Sequence, residues 1–129
     1  MRKSIGIAAM ASVALAACAM PADNEFPLTG NPHDTDVRAN GNRAVVSQDP
    51  IVVRGPAVIT WNVRSSGYEF PPDAITFNDP AGQFSCTARG VVLQCQDAYT
   101  QKGSFKYTIR VRNLTTGAVA ESDPFVMND

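Results

Sequence analysis

Reactive side chains are scarce in this chain of 129 residues: one histidine, one tryptophan and three cysteines, with aromatics at 8%. A single histidine and no free thiol partner exclude a Ser-His-Asp or Cys-His triad of the usual kind. The histidine, His33, stands between Pro32 and Asp34, in a stretch that offers nothing to hold a catalytic base. No cluster of His, Cys, Asp and Glu has metal-ligand spacing and no glycine loop has phosphate-binding spacing, so the expectation is no metal, no cofactor and no enzyme. Long apolar runs are also missing. The longest, Ile5 to Leu15, is broken by Gly6 and Ser12 and falls short of the roughly 20 residues that a spanning helix needs. Beyond it no dozen-residue window carries a helical stripe.

What the N-terminus does hold is the layout of an export signal: the cations Arg2 and Lys3, the apolar run, then Leu15-Ala16-Ala17-Cys18. This ending resembles the lipobox of bacterial lipoproteins. The resemblance implies cleavage just before Cys18, a diacylglyceryl group on its thiol and an acyl group on the new amine. It also implies a lipid-anchored, palmitate-bearing envelope protein. Ala19 follows the cysteine rather than the Asp that favours inner-membrane retention in Gram-negative families, which points to the outer membrane facing the periplasm. A rival cut exists, because Ala17-Cys18-Ala19 also fits ordinary signal cleavage, releasing a chain that starts at Met20.

An odd cysteine in an exported chain needs an explanation, and lipidation of Cys18 supplies one. Cys86 and Cys95 then remain as an even pair in an oxidising compartment, where a disulfide is expected. The spacing agrees. With Gly90-Val91 as a two-residue type II′ turn, Arg89 faces Val92, and counting outward sets Cys86 opposite Cys95 in a non-hydrogen-bonded pair, where Cα atoms come within about 4.5 Å. Such a bridge contributes roughly 2.5 to 3 kcal/mol by loop-closure entropy.

Removing residues 1–17 as a signal leaves 112, enough for one domain. Losing Arg2 and Lys3 reduces eleven cations to nine against twelve Asp and Glu, a formal charge of minus three. That balance argues against nucleic acid as a partner. Residues 18–43, rich in Pro, Gly, Asn and Asp, read as a lipidated flexible tether with a reach of about 25 to 30 Å. Residues 44–129 read as strands. Ile59, Trp61 and Val63 alternate with Val58, Thr60 and Asn62, and Phe105, Tyr107, Ile109 and Val111 alternate with Lys106, Thr108, Arg110 and Arg112. Shorter strands are expected at 45–47, 51–54, 74–77, 84–89, 92–96, 119–122 and 125–127. The expected fold is all-β, a small antiparallel immunoglobulin-like β-sandwich, with a small closed β-barrel as the alternative.

Two surfaces are binding candidates. Tyr68 and Phe70 lie on the proline-stiffened loop Gly67 to Pro72, fit to anchor an interface or to fold down over one end of the core. Lys106, Arg110 and Arg112 form a basic stripe on one strand face, fit for an acidic partner or simply solvated. Glu69, Asp73 and Asp79 cluster in sequence and read as turn caps or a weak calcium or acid/base site. The functional expectation is a lipid-anchored, non-catalytic interaction or accessory module with an envelope protein as partner. The alternative is an inhibitor of an envelope hydrolase such as a lysozyme or protease.

Overall fold

The computed structural model describes residues 33–129, so Cys18 and the signal segment lie outside the described residues. Eleven strands and no helix make up this part. In chain order they are β1 (Asp34–Asn40), β2 (Arg43–Val46), β3 (Ile51–Val53), β4 (Ala57–Val63), β5 (Tyr68–Glu69), β6 (Ile75–Phe77), β7 (Phe84–Arg89), β8 (Val92–Asp97), β9 (Gly103–Asn113), β10 (Val119–Ser122) and β11 (Phe125–Asn128).

Hydrogen bonding links them in the order β7-β8-β4-β1-β2-β10-β9-β11-β3, with β5 and β6 also on β9. The two ends of this path do not pair with each other, so the strands do not close into a barrel. The expected antiparallel arrangement needs correction, because β1 runs parallel to β4, β2 to β10 and β3 to β11. The first of these pairings involves a strand that composition hides. Residues 18–43 read as tether, yet the compact unit begins at His33 and β1 inserts beside β4 with Thr35 opposite Trp61 and Val37 opposite Val63. Thr35 and Val37 are buried there, which holds the segment in place despite its linker-like composition.

β9 is the spine. β10 and β11 lie along it in one continuous register, from Arg112↔Val119 to Gly103↔Asn128, while β5 and β6 pair with it elsewhere. Its inward set, Phe105, Tyr107, Ile109 and Val111, is buried as the alternation requires, and so is the inward set Ile59, Trp61 and Val63 of β4. The two strands are not paired neighbours, yet their side chains meet in the core. Trp61 Nε1–H donates to Tyr107 Oη at 3.1 Å, and the rings cross edge to face at 5.4 Å.

The hairpin β7–β8 has the register that Gly90-Val91 predicts, from Arg89↔Val92 to Phe84↔Asp97. Gly90 has φ +61 and Val91 has no positive φ, as a type II′ turn demands. Cys86 and Cys95 are bridged, with Cα atoms 4.0 Å apart.

Candidate functional site

Of the two readings open for each surface, burial and pairing favour the structural one. Phe70 is a core residue and Tyr68 packs against the same core; Phe70 N–H also donates to Gly90 C=O at 2.9 Å. The loop closes one end of the domain, which removes Phe70 as an interface anchor and as a finger to enter an enzyme cleft. The physical reason is that a Pro-stiffened loop beside a strand end buries an aromatic more cheaply than it solvates one.

The basic stripe on β9 is compensated by neighbouring strands. Arg110 Nε meets Glu121 at 3.2 Å and its Nη1 donates to Asp73 C=O at 2.8 Å. Arg112 lies between Glu69 and Val119 in register, and Lys106 Nζ stands 6.0 Å from the Phe125 ring centre. Glu121 in turn faces Arg43. The face is therefore a mixed-charge lattice whose exposed pairs are worth little individually.

The acidic trio disperses as well. Glu69 stays on β5, Asp73 contributes its carbonyl, and Asp79 Oδ2 accepts Phe84 N–H at 3.0 Å. Among the described residues no group of three His, Cys, Asp or Glu could hold a metal. Asp49 and Asp123, each before a proline, accept longer-range bonds, from Phe125 N–H at 3.0 Å and from Thr108 Oγ1–H at 2.7 Å. His33 precedes β1, and its carbonyl accepts Thr60 N–H at 3.0 Å.

Two features escaped composition. The first is a buried polar knot. Asn128 Nδ2 lies within 3.2 Å of Gln83 Oε1, Asp97 Oδ1 and Gln101 C=O, and Asp97 Oδ1 also accepts Tyr99 N–H at 2.9 Å. Asp97, Gln83 and Asn128 are all nearly inaccessible, and Asp97 Oδ2 has no hydrogen-bond partner among the described residues. Burial raises the Asp97 carboxyl above the ordinary range; the Tyr99 and Asn128 hydrogen bonds oppose this, nearby Asp79 adds to it and His33 opposes it. The folded state thus keeps the Asp97 proton to higher pH than the unfolded chain. The resulting stability is complete below about pH 4, the unfolded carboxylate value, and is lost as pH rises through the folded one. Asp97→Asn retains an acceptor and cannot ionise, so it is expected to abolish that fall and to be the more stable of the two proteins at pH 7. Urea unfolding of both proteins at pH 4 and pH 7 measures it.

The second is the free edge of β7, which among the described residues pairs only with β8. The ladder alternates, so Ser85, Thr87 and Arg89 direct their backbone groups to β8, while Cys86 and Ala88 direct theirs outward. At one end of the strand Phe84 stacks on Phe77 of β6 at 3.9 Å. Farther along, the small Cys86 and Ala88 meet Pro72, Ala74, Ile75 and Leu93 around a half-open cavity of about 80 Å³. Small residues on both sides leave that space. The chain therefore presents a disulfide-stapled edge strand beside a small hollow.

No family model matches the chain, and no curated protein is significantly similar to it. The geometry of this edge must carry the functional reading.

Proposed function

We propose that this chain is a lipid-anchored protein of the cell envelope whose folded head, an immunoglobulin-like β-sandwich in the loose architectural sense, is a non-catalytic interaction module. The contact of Trp61 with Tyr107 across the core, from strands that do not pair, supports two layers. Leu15-Ala16-Ala17-Cys18 supports the anchor, and Ala19 after it favours the outer membrane facing the periplasm. The observation that carries the interaction reading is the outward-facing backbone of Cys86 and Ala88 on a hairpin locked by the Cys86–Cys95 bridge. An edge strand held rigid before binding loses little conformational freedom on accepting another strand, and such strand addition is a recurrent way of recruiting a partner.

Ala88→Pro tests this. Proline removes an N–H that points away from β8, a position where an edge strand tolerates it. Tagged chain is partitioned in detergent and co-purified from solubilised membranes. The expected result is recovery in the detergent phase with an envelope protein bound, and about tenfold weaker capture by Ala88→Pro, the equivalent of some 1.4 kcal/mol of lost edge hydrogen bonding. Recovery in the aqueous phase contradicts the anchor, and capture unchanged by proline contradicts the edge.

A further inference from the structure

We propose that the strand added to β7 is β7 of a second copy of this chain, antiparallel about a twofold axis at Thr87. This rests on the interaction-module reading and names its partner. Both ends of the β7 edge are already occupied: Asp79 Oδ2 takes Phe84 N–H at 3.0 Å, and Gly90 C=O takes Phe70 N–H at 2.9 Å. The open stretch is Cys86 to Ala88.

One register fits that stretch. With Cys86 opposite Ala88 of the second copy, the outward N–H and C=O groups of both residues exchange a symmetric set of hydrogen bonds, and Thr87 faces Thr87 as a non-hydrogen-bonded pair. The capped Phe84 then lies opposite Gly90 of the second copy, which has no side chain to collide with Asp79. Placing Cys86 opposite Cys86 instead demands the Phe84 N–H that Asp79 already holds.

Charge agrees with this register. Arg89 is exposed and makes no ion pair among the described residues. The twofold sets each Arg89 across from Ser85, next to the Asp79-capped end of the other copy. The two Arg89 residues stay about 13 Å apart, four residues along the strands. Strand β7 has no lysine, proline or bulge to deter a neighbour. Of the β7 side chains, only the small Cys86 and Ala88 line the cavity, beside Pro72, Ala74, Ile75 and Leu93. So short a contact lies at the low end of interface sizes, below about 1,200 Å², and makes a weak pair in dilute solution. Attachment of both copies to one membrane raises the effective concentration and favours it.

Cross-linking of the full chain in membranes tests the arrangement. Thr87→Cys sets two thiols across a non-hydrogen-bonded pair, the arrangement that already bridges Cys86 and Cys95 with Cα atoms 4.0 Å apart. Gln94→Cys, on the same face of β8, keeps the thiols about 14 Å apart, too far to bridge. Under mild oxidation Thr87→Cys is expected to yield about tenfold more reducible homodimer than Gln94→Cys, and Ala88→Pro added to Thr87→Cys to remove it. No homodimer above the Gln94→Cys level, with the Cys86–Cys95 bridge intact by mass spectrometry, overturns the proposal. An adduct of Thr87→Cys with a different protein, lost on Ala88→Pro, overturns the second copy as partner and leaves the interaction module standing. Adducts indifferent to Ala88→Pro, or none of either kind, overturn both.

Discussion

Trp61→Ala is expected to cost about 3 to 5 kcal/mol, the largest loss from any single substitution in this domain. The indole is fully buried at the centre of β4, so its removal takes away a large apolar contact and leaves a cavity lined by Tyr107 and its neighbours. The loss does not stop at packing. Tyr107 Oη, itself buried, accepts the Trp61 N–H, and alanine leaves that hydroxyl without its donor, a further cost on the order of 1 kcal/mol. Against a typical total of about 5 to 15 kcal/mol, such a change brings a small domain close to unfolding. Trp61→Phe, which restores most of the ring, is expected to recover more than half of the loss. Urea titration gives the magnitudes, and the native fluorescence gives an independent check. A blue-shifted emission accords with the burial, and emission like that of indole in water contradicts it.

Replacing Cys86 and Cys95 together by alanine is the second large effect, expected at about 2 to 4 kcal/mol. Most of it arises in the unfolded chain, which regains the freedom that closing a loop of about ten residues removes. Some arises in the core, because Cys95 is fully buried. The strand order is expected to survive, since the Gly90 turn and the pairing of β8 with β4 remain. Function should suffer more than fold. Without the staple β7 frays from the sheet, and the edge no longer stands ready for another strand. Denaturant midpoints of oxidised, reduced and double-alanine protein measure the first effect, and membrane capture measures the second. Equal midpoints for oxidised and reduced protein would remove the staple from the account.

Elements with a complete apolar set at period two were legible from sequence. Ile59-Trp61-Val63 and Phe105-Tyr107-Ile109-Val111 each specify a strand and its inward face by themselves. The β7–β8 register was legible because one glycine fixes the turn and the turn fixes every pair after it. Strand β1 was not, since Thr35, Val37 and Ala39 alternate with Asp and Arg in a stretch that also suits a linker, and only β4 beside it decides the matter. Parallel pairing was hidden for a related reason: period-two alternation is the same for either direction of the neighbour.

The candidate sites stayed ambiguous where their partners come from distant segments. Alternation placed Lys106, Arg110 and Arg112 on one face correctly, but Glu121 and the Asp73 carbonyl, which tie down Arg110, belong to other turns of the chain. Phe70 carried no periodic signal to separate a core plug from an interface anchor. Parity alone could have found the polar knot, because Asp97 follows Leu93 and Cys95 on the inward side of β8. The open edge of β7 had no composition signal at all, since no strand among the described residues pairs beyond it.

Amide hydrogen exchange along β7, read residue by residue on the dilute full chain, tests the central claim most directly. Ser85, Thr87 and Arg89 direct their N–H groups into the ladder with β8, whereas Cys86 and Ala88 direct theirs to solvent. Alternation is expected, with slow exchange at Ser85, Thr87 and Arg89 and fast exchange at Cys86 and Ala88, and protection of the fast pair once a strand docks. Uniform protection along Ser85 to Arg89 in the dilute chain would mean that the edge is already covered, and uniform lability would mean that the hairpin is not held. Either result contradicts a stapled edge strand open for recognition.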